Sequence, residues 1–140
     1  MCFTVADDQK TKDKLTDTYF IRLRLTDAKG KVLSENIYWQ GKEAGNYKSL
    51  LTLPKADVSI SSVRKQKGDE WVISSTLTNA SDTPALMVRL MAQSQLTAQR
   101  ITPAIYSDNY LFLMPGESKV ITTTVKIADC YGEEPVVVVK

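Results

Sequence analysis

The chain has 140 residues and a net charge of +2, from eighteen lysines and arginines against sixteen aspartates and glutamates, and it contains no histidine. This length allows one hydrophobic core, or one domain of about 100 residues plus part of another, and it excludes a barrel enzyme of about 250 residues. The lack of histidine excludes Ser-His and Cys-His nucleophile pairs and imidazole metal ligands. Two cysteines, Cys2 and Cys130, cannot build a four-thiolate zinc site, and their pairing stays open. We therefore predict no metal and no cofactor.

Charges of both signs are interspersed along the chain, which is typical of a solvated surface rather than a nucleic-acid-binding stripe. The 43% hydrophobic and 24% charged residues are ordinary for a globular protein. No run of about 18 apolar residues predicts a membrane span, and residues 1–8 lack the plan of a signal peptide. We expect a folded, soluble chain, although an export signal could lie outside it.

The first predicted element is a β-hairpin. Apolar residues alternate with arginines over residues 19–26, so that Ile21, Leu23 and Leu25 share one face of a half-buried strand. Asp-Ala-Lys-Gly at residues 27–30 predicts a turn, after which residues 31–39 return as a second strand. In that strand Leu33, Ile37 and Trp39 are expected to share one face.

A break follows the hairpin, because residues 41–46 contain two glycines and an asparagine, and Leu53-Pro54 comes shortly after. This break predicts two domains. The first covers residues 1–48 and holds the terminal strands of a sandwich plus a linker, and the second covers residues 49–140.

The second domain is predicted as an all-β, immunoglobulin-like sandwich, because short alternating segments are separated by turn residues at sandwich spacing and no helical stripe is present. The predicted strands cover residues 57–64, 71–79, 85–92, 109–113, 119–127 and 135–139. The residues expected to fill the space between the two sheets are Ile73, Leu77, Val88, Leu90, Ile121 and Val125.

Acidic residues offer no catalytic pair. Glycosidases hold two carboxyl groups on either side of the bond that they cleave. Glu133 and Glu134 are neighbours at a strand edge, so their side chains point to opposite faces and cannot flank one bond. Both are interpreted as solvated surface charges. Glu117 follows Pro-Gly and is interpreted as a turn residue. No catalytic residue is predicted.

Three other patterns have both a functional and a structural interpretation. A basic cluster at residues 64–67 lies beside Trp71, and proteins that bind single-stranded nucleic acid combine basic with aromatic side chains in this way. One cluster and one ring are thin support for such binding, so a solubilising loop is favoured. Asn79-Ala80-Ser81 fits the N-glycosylation pattern, and Asn79 is interpreted instead as a turn former at a strand end. The aromatic side chains that could stack on sugars are interpreted mainly as packing residues; they are Tyr38, Trp39, Trp71, Tyr106 and Tyr110.

Asp108 and Asn109 are the most informative polar residues. Such side chains cap turns through their own backbone, and this structural role is favoured over a ligand-contacting loop.

Four segments carry a family resemblance. Residues 19–39 end in Asn-Ile-Tyr-Trp, residues 50–54 are Leu-Leu-Thr-Leu-Pro, and residues 106–118 are Tyr-Ser-Asp-Asn-Tyr-Leu-Phe-Leu-Met-Pro-Gly-Glu-Ser. Together with residues 77–90, these segments resemble family 2 glycoside hydrolases of the β-mannosidase and exo-β-D-glucosaminidase type. Residues 19–39 are similar to the end of their next-to-last β-sandwich domain, and residues 50–54 to the short linker that follows it. Residues 77–90 and 106–118 are similar to their C-terminal immunoglobulin-like domain.

The resemblance implies a non-catalytic accessory part of an enzyme acting on β-mannosides or β-glucosaminides, because the family's two catalytic glutamates lie on a barrel that this chain lacks. It implies the other domains of a glycoside hydrolase as partners, carbohydrate as a further ligand, and a secreted or periplasmic location. No nucleic-acid or membrane partner is expected. The segment it would place near the sugar entrance contains the candidates Tyr106, Asp108, Asn109 and Tyr110.

Two alternatives stay open. The chain could be a stand-alone carbohydrate-binding or cell-surface module, and a stripe of exposed rings among Trp39, Trp71, Tyr106 and Tyr110 would favour that interpretation. Unpaired N-terminal strands could also complete a sheet between two copies, giving a homodimer.

Overall fold

The computed structural model describes residues 16–140, which form ten β-strands and two short 3₁₀ turns. The strands are β1 (Thr18–Thr26), β2 (Val32–Gly41), β3 (Val58–Lys67), β4 (Glu70–Asn79), β5 (Ala85–Val88), β6 (Leu90–Ser94), β7 (Ile105–Tyr106), β8 (Leu111–Leu113), β9 (Ser118–Lys126) and β10 (Pro135–Val139). The 3₁₀ turns lie at Lys48–Thr52 and Ile127–Cys130. The chain forms two compact units, one ending at Leu53 and the other spanning Pro54–Lys140. The prediction of an all-β fold is confirmed.

The first unit contains the predicted hairpin, in which β1 and β2 pair in antiparallel register. Its turn is closed by Asp27, whose side chain accepts hydrogen bonds from the backbone N–H groups of Lys29 and Lys31, both at 2.9 Å. Gly30 has a φ of +80°, which glycine adopts without steric cost.

The register of this hairpin differs from the expected arrangement of its apolar residues. Ile37 lies opposite Arg22 and Trp39 opposite Phe20, so the apolar residues of β2 share a face with the arginines of β1. Leu23 and Leu25 lie on the other face and are 50% and 62% exposed. Only the first part of β1 is therefore shielded from solvent: residues 18–22 are buried or partly buried, whereas residues 23–26 are exposed.

The second unit is a sandwich of two layers. One layer is the sheet β3-β4-β9-β7, and the other contains the pairs β5-β8 and β6-β10. The sequence predicts one strand over residues 85–92, whereas the structure has β5 and β6 with Arg89 between them. The register shifts between Ala85 and Val88, and Met87 has a φ of +55°, so a bulge divides the strand.

The core lies between these layers and confirms the predicted core residues, all of which have at most 6% of their surface exposed. They belong to two clusters, since Val125 packs in a smaller one with Ala92, Ile101 and Cys130. The larger cluster contains Ile73, Leu77, Ala85, Val88, Leu90, Leu111, Leu113, Ile121 and Val137.

Asn79 is a fully buried polar residue at the end of β4. Its Nδ2 donates hydrogen bonds to the carbonyls of Thr83 at 2.8 Å and Leu113 at 2.9 Å, and its Oδ1 accepts from Ser81. The side chain thus links two turns to the strand end, as its interpretation as a turn former requires. Because its Nδ2 is buried and bonded twice, the glycosylation pattern is inaccessible in the folded unit.

Arg64 connects the two layers at one end of the sandwich. It forms an ion pair with Glu134, donates to the side chain of Gln95 at 3.0 Å and to the carbonyl of Pro135 at 3.2 Å, and lies over the ring of Trp71. The first member of the predicted basic cluster is therefore a packing residue rather than a free surface charge.

Cys130 is a free, buried thiol at the end of the second 3₁₀ turn. Burial raises the pKa of this thiol, and the nearby carboxylate of Asp129 raises it further. The thiol is consequently held in its protonated, unreactive form. Cys2, whose pairing with Cys130 the sequence left open, lies outside the described residues.

The face assignment of β4 and β9 predicts contrasting costs for two truncations. Leu77→Ala should lower the free energy of unfolding by about 2–5 kcal/mol, because Leu77 is fully buried and its loss leaves a cavity. Val120→Ala in the same sheet should cost less than about 0.5 kcal/mol, because Val120 is 63% exposed. Chemical denaturation measures both values, and a Leu77→Ala loss below about 1 kcal/mol would show that this face is misassigned.

Candidate functional site

The candidate site is the loop of residues 106–110, which connects β7 to β8 beside strand β6. It contains the four candidates of the sequence analysis, and its hydrogen bonds divide them into two pairs. Tyr106 and Asn109 bond to β6, whereas Asp108 and Tyr110 make no such bond and are exposed.

Asn109 replaces a missing strand at the first residue of β6. Its Oδ1 accepts a hydrogen bond from the N–H of Leu90 at 2.7 Å, and its Nδ2 donates to the carbonyl of Leu90 at 3.1 Å. Both backbone groups of a residue that is only 2% exposed are thereby satisfied by one amide side chain. The same Oδ1 accepts from the N–H of Tyr110 at 2.9 Å, so the loop is fixed on both sides.

Tyr106 makes the next contact along β6. Its hydroxyl accepts a hydrogen bond from the N–H of Ala92 at 2.8 Å, and its ring packs against the larger core cluster. The carbonyl of Ala92 accepts from the N–H of Ile101 at 3.0 Å. At Leu90 and Ala92 the edge of β6 away from β10 is thus satisfied by Asn109, Tyr106 and Ile101, and at Ser94 the backbone of Ala98 and Gln99 continues it.

Ser107 fixes the loop to the opposite layer, which the sequence analysis did not foresee. Its N–H donates to the carbonyl of Thr122 at 2.8 Å, and its hydroxyl accepts from the N–H of Thr122 at 3.0 Å. The loop therefore spans from β9 in one layer to β6 in the other. No local signal marks this contact, since the partners are 15 residues apart in the chain.

Asp108 and Tyr110 project from this fixed base. The carboxylate of Asp108 accepts one hydrogen bond, from the N–H of Asn109 at 2.8 Å. Tyr110 is 52% exposed and has a φ of +56°, a left-handed conformation that is uncommon for a bulky residue. An exposed ring held in a costly backbone conformation is a feature that clusters at binding sites.

The other aromatic candidates form no stripe of exposed rings. Trp71 packs against the smaller core cluster, and Tyr106 is partly buried with its hydroxyl bonded. Tyr38 and Trp39 are exposed, but as consecutive residues of β2 they point to opposite faces of the hairpin. This pattern favours packing roles over a flat carbohydrate-binding face.

The neighbouring glutamates have separate structural roles rather than being merely solvated. The carboxylate of Glu133 accepts hydrogen bonds from the N–H groups of Leu96 and Thr97 at 3.2 and 3.3 Å, whereas Glu134 forms its ion pair with Arg64. They therefore do not face one another across a bond. In residues 16–140 no group of three or more acidic or cysteine side chains is placed to hold a metal ion.

Nothing helical in the described part of the chain is both long and apolar enough to cross a membrane.

The division of the loop into fixed and projecting residues predicts unequal stability losses. Asn109→Ala should cost about 1–3 kcal/mol, because it leaves the buried N–H and carbonyl of Leu90 without partners. Asp108→Ala should cost about 1 kcal/mol or less, because its single bond lies at the surface. Denaturant titration of both variants checks the order, and a larger loss for Asp108→Ala would contradict it.

Comparison with known proteins identifies one family. The model of the exo-β-D-glucosaminidase Ig-fold domain matches residues 36–140. The chain is 32% identical over 123 residues to an exo-β-D-glucosaminidase of Arthroderma benhamiae, covering 75% of this chain and 14% of that protein. It is 28% identical over 144 residues to the enzyme of that name from Streptomyces avermitilis, covering 86% of this chain and 16% of that protein. The chain thus spans only about a seventh of the length of these relatives.

Solved structures show the same fold. The crystal structure of the exo-chitosanase CsxA of Amycolatopsis orientalis matches with a TM-score of 0.79 at 24% sequence identity. The match covers 91% of this chain and 17% of CsxA. At this identity the likeness establishes the shared fold.

Proposed function

Since the chain belongs to the exo-β-D-glucosaminidase Ig-fold domain family, we propose that it is a non-catalytic accessory domain of a larger glycoside hydrolase that acts on β-glucosaminides. The observation that carries this proposal is the family match over residues 36–140, joined to the small share of each relative that the chain covers. The relatives bear the name exo-β-D-glucosaminidase, which favours glucosaminides over the mannosides that the sequence analysis also allowed.

A scaffold role fits the chemistry of the described residues. A retaining glycosidase needs two carboxyl groups about 5 Å apart, with room for a sugar between them. Glu133 and Glu134 bind separate structural partners, and the carboxylate of Glu117 accepts from the N–H of Met114 at 2.8 Å within a turn. These carboxylates stabilise turns and layers instead of facing a substrate.

The hairpin of β1 and β2 supports the proposed division of the chain. We propose that residues 1–48 are the terminal strands of a preceding sandwich domain and that residues 49–140 form the terminal domain. A lone two-stranded hairpin is marginally stable in water, and this one exposes Leu25 on one face and Trp39 on the other. A neighbouring domain would cover both faces. Strand exchange between two copies is the alternative partner.

The loop of residues 106–110 is proposed to lie near the entrance to the sugar site. In support, it is fixed at Tyr106, Ser107 and Asn109, yet it directs an exposed ring and an exposed carboxylate outward. A purely structural turn requires neither. A stand-alone carbohydrate-binding module is less well supported, because the exposed rings of Tyr38 and Trp39 point to opposite faces of the hairpin.

The proposal predicts that catalysis belongs to the larger protein alone. The 140-residue chain should not hydrolyse p-nitrophenyl β-D-glucosaminide above background. The full-length polypeptide that contains it should hydrolyse this substrate in preference to p-nitrophenyl β-D-mannoside. A chromogenic assay with equal molar amounts of both proteins measures this. Turnover by the short chain that is lost on substitution of one of its own aspartates or glutamates would refute the proposal.

A further inference from the structure

We propose that the outer edge of β3 pairs with β3 of a second copy of the chain, so that the sheet β3-β4-β9-β7 of one copy continues into that of the other. The two strands run antiparallel about a twofold axis, which makes the interface isologous. This inference goes beyond the proposed function, because it concerns contact between copies rather than the enzyme that contains the domain.

The backbone of β3 alternates between residues that bond to β4 and residues that face away from it, as antiparallel pairing requires. The N–H of Ala80 donates to the carbonyl of Asp57 at 3.3 Å, and the register then continues without a shift as far as Lys67 opposite Glu70. The odd-numbered residues of β3 therefore bond to β4. The even-numbered residues direct their N–H and carbonyl groups away from the sheet; they are Val58, Ile60, Ser62, Arg64 and Gln66.

These outward groups form the free edge of β3, and none of them has a backbone partner in residues 16–140. The strand is ten residues long, contains neither a proline nor a bulge, and carries its charges only within residues 64–67. An edge of this kind is a template for another strand, because proline, bulges and charges are the features that prevent pairing.

Other edges of the sandwich are less suited to pairing. β7, at the opposite edge of the same sheet, has only two residues. β10 begins at Pro135, which has no N–H and whose carbonyl accepts a hydrogen bond from Arg64 at 3.2 Å. The free edge of β3 is therefore the longest one that remains open in the described part of the sandwich.

Charge complementarity favours a second copy as the partner. When the twofold axis passes through Ser62, Asp57 of each copy lies opposite Lys67 of the other. Both side chains are exposed, and neither forms an ion pair with a described residue. Opposite charges that face one another across two strands stabilise the pairing. The same strand thus supplies both halves of each ion pair.

The charges also select this register over its neighbours. An axis through Ser61 would place Lys55 opposite Lys67, and an axis through Val63 would place Asp57 opposite Asp69. Like charges directly opposite one another destabilise a sheet. The register centred on Ser62 avoids both conflicts, and it also aligns the outward groups of the two strands with one another.

The first test uses the 140-residue chain with two substitutions at Ser62. Ser62→Pro removes the N–H on the proposed axis, which is an outward group, so no bond to β4 is lost. Ser62→Ala is the matched control. Both variants lose the hydroxyl that lies 2.8 Å from the hydroxyl of Ser75, but only alanine keeps the N–H.

Sedimentation velocity at increasing protein concentration should show a monomer–dimer equilibrium for the wild type and for Ser62→Ala. The dissociation constant of Ser62→Pro should be about tenfold higher or more, because both hydrogen bonds at the axis are lost. A chain that stays monomeric at every concentration would overturn the proposal. So would a dimer that Ser62→Pro leaves intact, which would point to the hairpin of β1 and β2 as the interface.

A second pair of variants tests the register and does not depend on the folding of Ser62→Pro. Asp57→Lys places lysines opposite one another at both ends of the paired strands and should raise the dissociation constant about fivefold or more. Adding Lys67→Asp to this variant restores opposite charges and should bring the dissociation constant back toward the wild-type value. If it does not recover, the register centred on Ser62 is wrong.

Amide hydrogen exchange identifies the edge itself. Raising the concentration of the chain should slow exchange at Ile60, Ser62 and Arg64, whereas Ser61 and Val63, which bond to β4, should exchange slowly at every concentration. In the full-length polypeptide, protection of the first three amides that does not depend on concentration would mean that a strand of another domain occupies the edge. That result would overturn pairing between copies, and the assay of the short chain would still judge the accessory role.

Discussion

The structure of the terminal unit depends on how the second edge of β6 is satisfied. β6 pairs with β10 on one side, and on the other side a single bridge from Gln93 to Arg100 is its only β pairing among the described residues. Leu90 and Ala92 are buried, so unpaired backbone groups there would be costly. The amide of Asn109 and the hydroxyl of Tyr106 take the place of a neighbouring strand. This constraint fixes the course of the loop, on which the side chains of Asp108 and Tyr110 are exposed.

A second asparagine, the fully buried Asn79, has a similar effect at the end of β4. Asn79 ends β4 and bonds to the carbonyls of Thr83 and Leu113, so that two turns are held against one strand. In both places a side-chain amide supplies a donor and an acceptor to backbone groups that the sheets leave unpaired. The sandwich thus reaches a closed core although its connections are irregular.

The regular part of the fold was predictable because alternation has a direct physical cause. In β4, residues Ile73 and Leu77 lie on the buried face that their period of two predicts, and the core residues of β9 follow the same rule. The hairpin was equally visible from its strand period and its Asp-Ala-Lys-Gly turn. Its register was not, since pairing Ile37 with Arg22 depends on the bulge near Leu25 rather than on either strand alone.

The site was predictable in its residues but not in their separate roles. Turn chemistry marked Asp108 and Asn109 together, because both side chains bond readily to nearby backbone. Only the structure shows that Asn109 bonds to Leu90, 19 residues away, while Asp108 bonds to its own neighbour. The two-residue strand β7 also went unpredicted, because so short a segment has no periodicity.

Amide hydrogen exchange at Leu90 tests the central claim most directly, because this claim is that the side chain of Asn109 replaces a strand. In the wild-type chain the amide of Leu90 should exchange slowly, as a bonded core amide does. In Asn109→Ala it should exchange much faster, while the amide of Ala92, bonded to Tyr106, keeps more of its protection. Rapid exchange at Leu90 in the wild type, or no change in the variant, would contradict the account.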